Sequence, residues 1–174
     1  MTASNFSRSL SLVLQSEGGN DDDLADHGGR TSRGITQREY DAWIREQGRP
    51  TADVWTATDD EIATIYRAEY WAPFCDAMPT GIDYLYFDMA VNAGPYRAAV
   101  MLQRALGVTD DGRIGPITRE AVQKADAVKL IADYSDAKRG FYRSLHQPRF
   151  LNGWLNRTAI VQKNATAMLI SEAA

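Results

Sequence analysis

A carboxylate stands where a rigid helix should stop. Glu17 is followed at once by Gly18 and Gly19, then by Asp21, Asp22, Asp23 and Asp26, then by His27-Gly28-Gly29 and Thr31. Breaking a glycosidic bond needs a proton on the departing oxygen and help at the sugar carbon, so most enzymes that do it set two carboxyl groups across a cleft. Glu17 is the better acid of this set, because carbonyl dipoles at a helix C-terminus disfavour its anion and partial burial would raise its pKa further. Asp26 is the favoured partner, since the turn that follows it can hold it in place. The Thr31 hydroxyl can help it keep a water beneath a sugar ring. Plainer readings stand beside these: a glutamate at a helix end is an ordinary solvated charge, the aspartates suit a solvated turn, and the paired glycines suit a hairpin that needs positive torsions. The acidic run lacks the ligand alternation and closing glutamate of a calcium loop.

The elements that must carry these residues are helical. Phe6, Leu10, Val13 and Leu14 recur at helical spacing over Ser4 to Ser16, with Ser4 or Asn5 as N-cap, so the chain reaches Glu17 along a rod that the glycines stop. From Asn20 to Ile35 no apolar periodicity survives, which predicts a turn or a short β-hairpin passing in front of the Glu17 side chain. Thr36 with Glu39 and Thr58 with Glu61 are capping boxes, opening one helix over Gln37 to Gln47 and a second that Pro73 should end. Trp43 and Tyr66 are expected in the core. Ile82 to Ala93 is apolar almost throughout, as a central buried helix would be, with Asp83, Asp88 and Asn92 as polar exceptions needing partners or facing a cleft. Gly94-Pro95 separates it from a helix over Tyr96 to Leu106. Further helices follow from Pro116, from Val128 to Leu145 across Gly140, and from Trp154 to Ile170. Tyr70 and Trp71 can stack on sugar faces or pack in the core, and Asn92 can contact a sugar.

At 174 residues, with 44% hydrophobic and 24% charged residues, the chain can bury one sizeable core. A net charge of −4 argues against nucleic acid as partner and against long-range attraction to an anionic polymer, so local contacts must supply affinity. The single cysteine, Cys75, allows no internal disulfide and reads as buried. Two histidines are too few for a convincing zinc site, so neither metal nor cofactor is expected. No secretory leader and no membrane-spanning apolar run is legible.

Taken in order, Glu17-Gly18-Gly19, Asp26-His27-Gly28-Gly29-Arg30-Thr31 and Gly34-Ile35-Thr36 resemble the N-terminal signature of the family-108 glycoside hydrolases, peptidoglycan muramidases that are mostly phage endolysins. The resemblance continues through Tyr70-Trp71, Phe87-Asp88, Val91-Asn92-Ala93-Gly94 and Leu102 to Val108. It then takes in Asp111-Gly112-Arg113-Ile114-Gly115-Pro116 with Thr118, and Phe150 to Arg157. The segment from Leu102-Gln103 to Thr118 also resembles a peptidoglycan-binding module, although the same residues make ordinary caps and turns. The resemblance implies a mainly α, lysozyme-like two-lobed helical domain with a small β-hairpin at the active site. A catalytic muramidase lobe would span 1–85, and a helical lobe 86–174 would pack with it as one unit. It implies Glu17 as general acid. By analogy with the Glu, Asp, Thr triad of phage-type lysozymes, it implies Asp26 and Thr31 as its partners in an inverting hydrolysis of the bond between N-acetylmuramic acid and N-acetylglucosamine. It also implies a monomer stored in the host cytoplasm, released with a holin's help, that acts on the periplasmic wall without inserting into membrane. Asn20 departs from the pattern, standing where the family usually has tyrosine. A lytic transglycosylase and a non-enzymatic wall-binding or secretion-assisting protein are the rival readings.

Overall fold

The computed structural model describes residues 5–17, 20–21, 30–71 and 73–172, without the side chains of Glu17, Asn20 and Asp21. Within these residues the chain forms eight α-helices and one small sheet. It packs as two compact units, Ser7–Glu69 and a larger one made of Met1–Phe6 with Tyr70–Ala174. The boundary expected at 85/86 falls inside a helix.

The smaller unit starts at the second residue of α1 (Phe6–Glu17), which leads to strand β1 (Asn20–Asp21), and β2 (Thr31–Ser32) and β3 (Ile35–Thr36) complete an antiparallel sheet in the order β1-β2-β3. Asp21 pairs with Thr31 and Ser32 with Ile35. The expected single hairpin is therefore a three-stranded meander. Its second turn is Arg33-Gly34, with φ of 50° and 82°. Two positive torsions in a two-residue loop match the right-handed twist of the strands it joins, and glycine supplies the second without steric cost. The capping box of Thr36 opens α2 (Gln37–Glu46), as its sequence predicts: the Thr36 N–H donates to Glu39 and the Glu39 N–H donates back to the Thr36 hydroxyl. Thr58 and Glu61 make the same reciprocal pair ahead of α3 (Asp59–Glu69), which ends before Pro73 is reached. Trp43, expected in the core, is only half-buried. It stacks on Tyr40 with ring centroids 6.1 Å apart, while Tyr40 and Ile44 take the buried face of α2.

The larger unit is organised around α4 (Ile82–Ala93), where every residue from Ile82 to Ala90 is buried. A helix buried on all sides must lie within its neighbours, and α4 packs against α5 (Pro95–Leu106), α7 (Ala127–Ser144) and α8 (Pro148–Glu172). Burying each such aliphatic or aromatic side chain stabilises the fold by roughly 1.5–3 kcal/mol. Gly81 precedes α4 with φ of 91°, and a Cβ there would come within 2.5 Å of the Ala165 carbonyl oxygen on α8, so this close approach requires glycine. The short α6 (Pro116–Lys124) starts on its proline as expected. α8 begins six residues before the predicted Trp154, because Pro148 opens it in the same way and Gly153 does not interrupt it.

The three polar exceptions of α4 find partners. Asp88 is buried between Lys138 of α7, with which it forms an ion pair, and Arg157 of α8, whose Nε lies 3.0 Å from Oδ1. Burial pushes the Lys138 ammonium pKa down, and the facing Asp88 carboxylate opposes that shift. Asp83 accepts the backbone N–H groups of Gly81 and Tyr84 at 2.8 and 2.7 Å and the Asn5 amide at 3.0 Å. Burial nevertheless raises its pKa. Asn92 is exposed and donates to the Asp88 carbonyl one turn back, at 2.7 Å. Cys75 is buried in a 3-10 turn, Pro73–Ala77.

Candidate active site

Glu17 is the last residue of α1, and β1 begins three residues later. Its side chain lies outside the described residues, as do Asp26 and the whole of 22–29. Thr31 opens β2, half-buried, directly opposite Asp21 of β1. A strand pair of this kind sets paired Cα atoms about 4.5–5.5 Å apart, so the sheet returns Thr31 to the strand that Glu17 feeds.

What holds Thr31 is a segment with no ladder of its own. Residues 49–58 are mostly loop around one 3-10 turn, Val54–Thr56, capped by Asp53, which accepts the Trp55 N–H at 3.0 Å. Backbone groups in such a segment must be satisfied from elsewhere. Gln37 does much of this. Its amide donates to the Ala52 carbonyl and to Asp41, both at 2.8 Å, and its oxygen accepts the Val54 N–H at 2.9 Å. The turn in turn braces β2. The Trp55 indole N–H donates to the Thr31 carbonyl at 3.0 Å, and the Arg30 guanidinium lies over the Trp55 ring at 4.5 Å while pairing with Asp53 at 2.5 Å. The β2–β3 turn is fastened separately, with Arg33 donating to the Ala57 carbonyl at 2.6 Å and Tyr66 donating to the Arg33 carbonyl at 2.8 Å.

The other sequence-predicted contacts lie in the larger unit. Trp71 is 2% exposed, edge-on to Phe6 and Phe87 at 5.3 and 5.4 Å, with its indole N–H on Asp76. Of its two readings, core packing is the one observed, since a ring enclosed in this way presents no face to a sugar. Tyr70 is half-buried and Asn92 exposed.

In the segment resembling a binding module, buried Gln103 and Thr118 hold an exposed turn. The Gln103 amide donates to Asp111 at 2.8 Å, to the Arg113 carbonyl at 3.0 Å and to Thr118 at 3.2 Å, and its oxygen accepts the Gly112 N–H at 2.8 Å. Gln103 is buried, so these residues knit a turn to α5 and α6. Hydrogen bonds from the Arg113 backbone and from Gln103 lower the Asp111 pKa. Beside this turn, Phe74, Met78, Ile114, Arg119, Val122 and Gln123 line an apolar cavity of about 320 Å³. No group of three or more histidine, cysteine or acidic side chains able to hold a metal occurs among the described residues, and no helix among them is long and apolar enough to cross a membrane.

The glycosyl hydrolase 108 model matches residues 10–94, and a model described as a predicted peptidoglycan domain matches 97–159. The solved structure of SagA from Brucella abortus is 35% identical over 95% of both chains, with a TM-score of 0.80. The chain belongs to the glycosyl hydrolase 108 family. No curated protein matches it in sequence. The mainly helical, lysozyme-like fold with a small antiparallel sheet is thus the family's, and the chain is a glycoside hydrolase acting on peptidoglycan. The stretch matched by the hydrolase model contains Glu17, the sheet, Gln37 and Trp55. Sequence reasoning did not single out Trp55 or Gln37. A tryptophan in a polar, aperiodic stretch was the available signal for the first, and nothing local marked the second.

Proposed function

We propose that this glycoside hydrolase is a muramidase that cleaves the β-1,4 bond between N-acetylmuramic acid and N-acetylglucosamine. Glu17 acts as general acid and gives its proton to the departing N-acetylglucosamine oxygen. Asp26, helped by the Thr31 hydroxyl, takes a proton from the water that attacks the muramic anomeric carbon from the opposite face, so the configuration inverts. The observation that carries this reading is the position of Glu17, at the end of α1 within the matched segment, just before the strand that pairs with Thr31. In this reading the enzyme works as a monomeric phage endolysin, held in the host cytoplasm until a holin gives it access to the wall.

The test joins one substitution to the chemistry of the products. Glu17→Gln, which keeps the shape and removes the proton, should lower release of wall fragments at least a thousandfold while the melting temperature stays within a few degrees. Mass spectrometry of wild-type digests should show reducing muramic ends. Anhydro-muramic ends would instead make the enzyme a lytic transglycosylase, and undiminished lysis by Glu17→Gln would remove Glu17 from the mechanism. Binding to sacculi with no release of soluble fragments by the wild type would favour the non-enzymatic reading.

A further inference from the structure

From the geometry around Thr31 we infer that Trp55 is a stacking platform for a pyranose of the glycan strand, a substrate-binding residue in the same unit as Glu17. The inference rests on the muramidase reading for the identity of the strand.

Trp55 is the most exposed of the four tryptophans. It leaves 38% of its surface open, whereas Trp71 is buried and Trp43 and Trp154 are half-buried against other rings. An indole that only filled space would be expected to turn inward, since its large apolar area gains by leaving water. This one is instead held at the surface by several independent contacts. Its indole N–H is committed to the Thr31 carbonyl, its backbone N–H to Asp53, and the Arg30 guanidinium, itself paired with Asp53, lies over the ring. Gln37 fixes the turn beneath it through Val54, which is fully buried. A rigid aromatic side chain loses little conformational freedom when a ligand covers it, and that is the property a binding platform needs.

Its position links it to the chemistry. Trp55 is bonded to the residue that opens β2, and β2 pairs with the strand that follows Glu17. A pyranose offers an apolar C–H face of the kind an indole accepts, and aromatic side chains with a few placed polar groups are the usual lining of small-ligand sites. The pyranose rings themselves carry no charge, unlike the lactyl carboxylates that a peptide-free strand exposes, so stacking also answers the affinity problem of a chain with net charge −4 facing an anionic wall.

The test uses the full chain and β-1,4-linked N-acetylglucosamine–N-acetylmuramic acid strands freed of stem peptides. Trp55→Ala should raise KM and weaken strand binding by tenfold or more, with kcat changed less than threefold. Trp55→Phe, which keeps a ring but lacks the N–H that reaches Thr31, should stay within threefold of wild type on both measures. In Glu17→Gln protein labelled with 5-fluorotryptophan, which binds strands without cleaving them, the Trp55 resonance, assigned by its absence in Trp55→Phe, should move on titration with strands. That arm needs no destabilised variant. Wild-type binding by Trp55→Ala, an equal loss in both variants, or a resonance unmoved at saturation would each overturn the platform, an equal loss meaning that the ring merely holds Thr31. If the wild type releases no reducing ends, the muramidase reading falls. If it releases them while Trp55→Ala keeps its KM, the platform alone falls.

Discussion

The two units differ in where their charges sit: among the described residues, the ion pairs of Ser7–Glu69 reach solvent, whereas Tyr70–Ala174 buries one. In Ser7–Glu69 the polar contacts are many, mostly between a side chain and a neighbouring backbone: Gln37 on Ala52 and Val54, Trp55 on Thr31, Arg33 on Ala57. In Tyr70–Ala174 the decisive contact is one cluster of full charges, with Asp88 facing Lys138 and Arg157 across three helices. Bonds from neutral groups such as Gln37 and Trp55 contribute about 0.5–1.5 kcal/mol each, whereas a buried charge that loses its partner costs several times that. The smaller unit should therefore lose function by degrees, through loosening of the segment that frames Thr31. The larger should fail all at once.

The sharpest way to break that contrast is Asp88→Leu, which leaves Lys138 without a counter-charge in an apolar surrounding. It should lower stability by about 3–5 kcal/mol in urea unfolding, and a loss under 1 kcal/mol would mean that the cluster does not hold the helices together. Next in size is Gln37→Ala, which orphans the Val54 N–H and the Ala52 carbonyl. A cost of about 2 kcal/mol is expected, with faster hydrogen exchange at the Val54 amide and slower wall hydrolysis. Unchanged exchange there would show that Gln37 is no brace. The smallest effect belongs to Glu61, whose carboxyl is held at about 2 against an ordinary 4.5 by the Thr58 backbone N–H first, then by Arg49 and Tyr40. Because the folded pKa lies below the unfolded one, its contribution is complete above about pH 4.5 and is lost as the pH falls towards 2. Arg49 is half exposed, so solvent screening keeps the loss in Glu61→Gln to about 1 kcal/mol at neutral pH. The gap between variant and wild type should close on acidification, and a gap constant from pH 6 to 3 would contradict the assignment.

Much of this was legible wherever the deciding interactions are local. Both capping boxes join residues three apart, and each formed as its sequence predicts. The apolar run of α4 announced a buried helix because burial on every side leaves no polar stripe. What stayed open depends on distant partners. Trp71 could not be assigned to sugar or core from its type, since Phe6 and Phe87, which enclose it, lie far along the chain. Asp88 meets partners 50 and 69 residues away, and Trp55 takes its place from a carbonyl 24 residues earlier. Asp26 and the Glu17 side chain lie outside the described residues.

The charge cluster also gives the protein a built-in chemical reporter. The chain has only four lysines, and Lys124, Lys129 and Lys163 are exposed while Lys138 is sealed beneath α4. An amine-directed reagent added to folded protein should mark the first three within its own reaction time and reach Lys138 only when the surrounding helices part. The lag of that fourth modification would then measure how often the larger unit opens, in the intact chain and without a denaturant.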